Sequence, residues 1–419
     1  NVAGGYHGYW ASSLTSLNEN FGDAADLANL VSAFHARGML VMVGVVLNHM
    51  GRLWPDITQV ETFPDASYYH NCDRCHAAGG GKDGVGCNGT ICDCWVDDYD
   101  NVEQQLYCQL FGLPDLNQSH PVTRQRLNDF AVYTKQMGFD AVRIDTVPYV
   151  ADSFWSEWVG TANMFSMGET STGVDAKVAS HLTNSRMDSA INYPLYYTLD
   201  DCFVHGESLK KLQQRLAAQR RLYGSLSMSL MGNFAENHDE PRLASKTIDL
   251  KRRQAFVLYT LAAQGLGIIY YGQEQSITGA KLGGPDEAAE FRKPLWISDY
   301  RTDDLGGMYA FTVRVNKLRQ LMPRDQFADT EQYERYVSDS LYVFQRGQVV
   351  VALTNTGSRV MEQRQLVTNL PSMWKAGTRI CNALVQGDCS TLSADYQLEI
   401  YLLGGESKLY TLATYAEAL

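Results

Sequence analysis

The sequence predicts an α/β fold, a TIM-type (β/α)8 barrel with an inserted loop subdomain and a C-terminal antiparallel β domain. Short, continuously apolar runs recur through the first two thirds of the chain, the mark of parallel strands buried on both faces. Helical patterns separate several of them, and such alternation builds a barrel of this type. Two stretches break the rhythm, one near 50–115 and one from about 324 onward.

In order along the chain, residues 23–38 read as a helix. Asp23 is its N-cap, Leu27, Leu30, Val31 and Phe34 share one face, and Gly38 stops it. Residues 39–47 form an apolar run that predicts a strand buried on both faces. Residues 123–137 are helical, Gly138 ends them, and 139–144 is the next strand. Further apolar runs fall at 163–167, 187–191, 229–234 and 267–271, with helices at 208–222 and 252–263. The stretch 50–115 is rich in Gly, Cys and Asp and too long for a plain connection, so it reads as a subdomain. Farther on, 341–345 and 349–355 flank Arg346, Gly347 and Gln348, a hairpin signature, and 399–403 and 409–414 read as more strands. The expected division is 1–50 for the first part of the barrel, 51–115 for the insert, 116–323 for the rest of the barrel and 324–419 for the β domain.

A formal net charge of −12 repels phosphate backbones and argues against a nucleic-acid partner. No stretch reaches the length of a membrane span. The chain opens at Asn1 in mid-domain sequence, so no signal peptide is expected within it.

Cys72, Cys75, Cys87, Cys92, Cys94 and Cys108 crowd one segment. Cys72, Cys75 and His76 match a haem-attachment string, and Cys-x-x-Cys with Cys92-x-Cys94 suggests zinc. Disulfides stapling the Gly-rich stretch 79–89 are the favoured reading, and they imply an oxidising compartment. Cys381 and Cys389 flank a Gly387–Asp388 turn and are expected to be bonded, whereas Cys202 stands alone.

Polar residues gather at the expected C-terminal strand ends, where such barrels place their active sites. They are Asn48 and His49, then Arg143 and Asp145, then Glu169, then His238 and Asp239. A lone carboxylate after a strand is more often a cap or salt-bridge partner than a catalyst; four such ends together point to chemistry. Retaining glycoside cleavage needs a carboxylate nucleophile and a carboxyl acid about 5 Å apart. Arg143, two residues before Asp145, shares its face and favours its ionised form. The acid role requires Glu169 to carry a proton, which burial and nearby carboxylates would promote.

In order, YHGYW (6–10), VVLNHM (45–50), LPDL (113–116), GFDAVRIDTV (138–147), MGET (167–170) and FAENHDEPR (234–242) resemble the signature regions of the α-amylase family of glycoside hydrolases, closest to the secreted fungal-type enzymes. The resemblance covers nearly the whole chain and implies endo-hydrolysis of α-1,4-glucans by a secreted monomer. It implies Asp145 as nucleophile, Glu169 as acid/base and Asp239 as a third carboxylate. Tyr9 would stack on the sugar, with Trp10 nearby, and His49, Arg143, His238, Arg292 and Gly173 would contact it. It further implies that the 51–115 insert is the family's domain B, clamped by a structural calcium through Asn48, Asp115 and the Tyr149 carbonyl. In that frame the chain begins after the first two barrel strands and holds six. Three positions depart from the family. Gly44 replaces an Asp, Pro148–Tyr149 replace a Lys-His pair, and the carboxylate ligand expected near Asp93 is not clearly matched. Loss of the Asp at Gly44 is expected to leave Arg143 short of a partner and the enzyme weak or silent. A transglycosylase or maltogenic relative is the other alternative.

Overall fold

The computed structural model describes residues 1–419 except 1–4, 6, 52–56, 83–93, 282, 284–286, 304–306, 369 and 371–373. Two compact units divide the chain: Asn1–Thr172 with Ala176–Ile191, and Gly173–Asp175 with Asn192–Leu419.

In the first unit the helix Ala24–His35 starts at a capping box. The Asp23 carboxylate accepts the N–H groups of Ala25 and Asp26, and the Asp26 carboxylate accepts the N–H of Asp23. The chain turns out at Gly38 with φ of +70°. Strands β1 (Met42–Val45), β2 (Ala141–Ile144), β3 (Phe165–Gly168) and β4 (Ser189–Ala190) form a parallel sheet in that order. The helix Pro121–Gln136 leads into β2, and the helix Asp152–Ala162 joins β2 to β3. Their apolar faces bury Leu127, Phe154, Trp155 and Trp158 with Leu47, Val142 and Ile144. Both buried indoles are satisfied, by the carbonyls of Val147 and Leu127.

β1 departs from the expectation of burial on both faces. Among the described residues it pairs with β2, and Leu40 and Met42 are 79% and 41% exposed. Leu30 and Phe34 on the preceding helix are exposed as well.

The insert is built from short pieces: the helices Cys72–Ala77 and Val102–Tyr107 and a two-residue ladder between Gly81–Lys82 and Cys94–Trp95. The sulfurs of Cys75, Cys94 and Cys108 converge in a buried cluster. Gly80 covers the cluster, and a Cβ there would lie 2.5 Å from the Cys75 sulfur. Cys72 is also disulfide-bonded. The sulfur contacts are those of disulfides, as favoured over the haem and zinc readings. Cys87, Cys92, Asp93 and most of the Gly-rich stretch lie outside the described residues.

The second unit carries the parallel pair β5 (Gly232–Phe234) and β6 (Leu266–Ile268), among the helices Tyr193–Phe203, Lys210–Leu230 and Leu250–Ala262. Counting β1 to β4, six strands with parallel partners within their own units fall among the described residues, at the six apolar runs. Beyond residue 330 the strands are antiparallel. Leu341–Arg346 and Val349–Thr354 pair as the expected hairpin around Gly347, which has φ of +52°. A Cβ on Gly347 would also strike the Gln326 carbonyl. Cys381 and Cys389 face each other across a ladder and are bonded at 2.05 Å. Cys202 is buried and free. Among the described residues no helix is long and apolar enough to cross a membrane.

Candidate active site

Alternation along β2 puts Arg143 and Asp145 on one face, and the parallel register brings β3 alongside. The Asp145 N–H donates to the Val45 carbonyl at 3.0 Å, and the Glu169 N–H to the Ile144 carbonyl at 2.8 Å. The strand ends therefore fix both catalytic candidates through their backbones. Arg143 Nη1 pairs with Asp145, and its Nη2 lies 2.6 Å from Glu169 Oε1. A single guanidinium thus spans two buried carboxyls. Burial works against the charge on Arg143, but Glu169 and Asp145 outweigh it and hold the guanidinium protonated well above its ordinary range. The expectation that Gly44 leaves Arg143 short of a carboxylate is corrected here: Gly44 stands opposite Arg143 in the β1–β2 register, yet Arg143 has two carboxylate partners.

Sequence reasoning missed Thr146. It adopts left-handed backbone with φ of +50°, and its N–H reaches Glu169 Oε2 at 3.3 Å. Nothing in its residue type signals this; only its place after Asp145 does.

Tyr9 lies beside the pair, with Arg143 Cζ 5.7 Å from its ring centroid. Its N–H donates to His7 Nδ1, and the His7 ring packs edge-on to Trp10 at 5.1 Å. His49 is buried, and burial drives its pKa down to about 4, with a smaller push from His7 against a hydrogen bond at Met50. It is therefore neutral near pH 7. Its Nδ1 is buried and has no hydrogen-bond partner among the described residues.

A second cluster in the same unit joins Asn48, Asp115 and Tyr149. The amide end of Asn48 lies 3.0 Å from Asp115 Oδ1 and 3.1 Å from the Tyr149 carbonyl oxygen. With its oxygen turned inward, three oxygens converge; with its nitrogen turned inward, the amide bridges the other two. Burial raises the Asp115 carboxyl to about 6, and the His70 ring, 2.6 Å away, pulls it back. His70 is another residue the sequence did not flag.

In the second unit Asp239 is gripped at both oxygens, by Arg292 Nη2 at 2.8 Å and His238 Nε2 at 3.0 Å. Gly173 packs near Tyr197, and Arg215 donates to its carbonyl at 3.4 Å.

Two buried carboxyls bridged by one arginine at the ends of parallel strands are the equipment of a retaining glycoside hydrolase. A model of the alpha-amylase catalytic domain matches residues 3–340, and the chain belongs to the α-amylase family of glycoside hydrolases, a family of retaining glycosidases. It is 28% identical over 424 residues to an alpha-amylase of Saccharomycopsis fibuligera, spanning 98% of this chain and 78% of that one. It is 29% identical over 430 residues to alpha-amylase 2 of Schwanniomyces occidentalis, spanning 98% and 76%. The structure of an alpha-amylase from Malbranchea cinnamomea matches it with a TM-score of 0.84 at 27% identity, over 98% of this chain and 82% of that chain. The chain therefore has the α-amylase family fold, with a C-terminal antiparallel sheet.

Proposed function

We propose that this protein is a secreted, monomeric endo-hydrolase of α-1,4-glucosidic bonds in starch and glycogen. The observation that carries this reading is the placement of two buried carboxyls, Asp145 and Glu169, at the ends of the neighbouring parallel strands β2 and β3. In the proposed first step Asp145 attacks the anomeric carbon, the bond to the leaving oxygen breaks, and the Glu169 proton passes to that oxygen. In the second, Glu169 takes a proton from water, the water oxygen bonds the anomeric carbon, and the Asp145 carboxylate is released. Asp239 is the third carboxylate, which distorts the bound sugar. Tyr9 stacks on the sugar, Trp10 lies beside it, and His49, Arg143, His238, Arg292 and Gly173 contact it.

Asn48, Asp115 and the Tyr149 carbonyl fit a calcium ion. Hard oxygens about 3 Å apart suit ligands that each sit about 2.4 Å from the metal, and a buried carboxylate calls for a cation. The ion would tie the 51–115 segment, as domain B, to the strand ends. The disulfides and the fungal relatives support an extracellular setting.

The test is digestion of soluble starch followed by NMR of the first products. Internal cleavage with the α-anomer formed first is expected. The β-anomer would overturn the retaining mechanism, and longer or cyclic products would favour the transglycosylase alternative. No turnover at all would favour a silent glucan-binding relative.

A further inference from the structure

The proposed mechanism uses His238 and Asp239 but not the two charged residues that flank them. Glu236 and Arg242 are buried, at 1% and 0% exposure. Arg242 Nη1 lies 2.9 Å from Glu236 Oε1 and donates to the Tyr271 carbonyl at 2.7 Å. The other Glu236 oxygen accepts the Leu243 N–H at 2.6 Å. The Arg242 guanidinium stacks 4.0 Å from the Tyr270 ring centroid, and its own N–H donates to the Gly279 carbonyl. The pair thereby ties both ends of the 236–242 segment to each other and to the chain just beyond β6.

Everything inside this closure is pinned. Asn237 Oδ1 accepts the N–H groups of Asp239 and Glu240, both at 2.9 Å, and Asn237 Nδ2 donates to the Tyr193 hydroxyl. The hydroxyls of Tyr196 and Tyr197 donate to Glu240. Only Asp239 reaches outward, its side chain 44% exposed. Arg292 and His238 hold the Asp239 carboxylate, and the closure places the backbone that carries it. A buried ion pair is a poor way to gain stability, because apolar residues of similar volume often serve as well. This pair instead supplies a fixed closure.

We propose that Glu236 and Arg242 are positioning residues that set the backbone carrying His238 and Asp239, and through it the turnover step. The inference rests on the reading of Asp239 as the third carboxylate.

The experiment is a mutant cycle in the full chain on a soluble maltooligosaccharide. The combined Glu236→Leu and Arg242→Met variant removes both charges at similar volume and should stay folded. Its kcat should fall about tenfold or more, as small losses of orientation do, with KM within about threefold of the parent. Added to Asp239→Asn, it should cause no further loss. Arg242→Lys, which keeps the charge but not the fork, carries the same cycle if the double variant fails to fold. An unchanged kcat per folded molecule, or losses that multiply with Asp239→Asn, overturns the positioning role alone. An Asp239→Asn variant with parental kcat overturns the third-carboxylate reading, and the positioning role falls with it.

Discussion

Arg143 and Arg292 are both largely buried, but the carboxylates they meet differ in exposure. Arg143 sits between Asp145 and Glu169, whose side chains are each 10% exposed, at the ends of β2 and β3. Arg292 meets Asp239 on a loop where nearly half of the carboxylate is open to water. Breaking a buried pair leaves a charge unpaired in the interior and costs roughly 3–5 kcal/mol, whereas an exposed pair is worth at most about 1 kcal/mol. The pair buried on both sides is therefore expected to serve folding and chemistry together, and the pair with the exposed carboxylate to serve orientation.

The largest effect is expected at Asp145. Asp145→Asn removes the proposed nucleophile and should lower kcat on starch by roughly 10⁴-fold or more. Residual activity within tenfold of the parent would remove Asp145 from the mechanism. The two arginines then test the contrast directly. Arg143→Lys leaves one point charge where a fork spanned two carboxyls, and kcat should drop by roughly 10²–10³-fold together with the melting temperature. Arg292→Lys should cost about tenfold in kcat with almost no change in melting. Equal penalties at the two positions would break the distinction between buried and exposed.

Calcium removal sharpens the same contrast, because Asn48, Asp115 and Tyr149 all belong to the unit that holds the buried pair. Ligand bound only to the native state adds about 2.7 kcal/mol at a hundredfold excess over Kd. EGTA should therefore lower the melting temperature by several degrees and calcium should restore it. An unmoved midpoint would count against a structural ion at the three oxygens.

Much of this was legible in the sequence because strand ends concentrate chemistry. Arg143 and Asp145 fall two apart on an apolar run, and that spacing fixes their shared face. The hairpin at Gly347 and the bond from Cys381 to Cys389 were legible for similar local reasons. What escaped were contacts that depend on where distant segments meet. Thr146 reaches Glu169 only through a left-handed turn, and His70 reaches Asp115 across 45 positions.

The smallest effect is expected at Gly44. The family's Asp at this position suggested that Gly44→Asp would raise turnover about tenfold, or about 1.4 kcal/mol, by giving Arg143 a missing partner. Among the described residues nothing lies within 4 Å of a Cβ built on Gly44, so the backbone there accepts a side chain. Its register places it opposite Arg143, which already engages Asp145 and Glu169. A third carboxylate would compete for the same guanidinium and add negative charge beside two carboxyls that share it. The gain from a better anchored arginine is then offset by repulsion, and kcat should change by less than about threefold in either direction. Steady-state kinetics on soluble starch decides the matter. A tenfold rise would show that Arg143 is under-anchored despite its two partners and would restore Gly44 as the reason for a weak enzyme. A tenfold fall would show that charge balance around Arg143, rather than its orientation, limits the reaction.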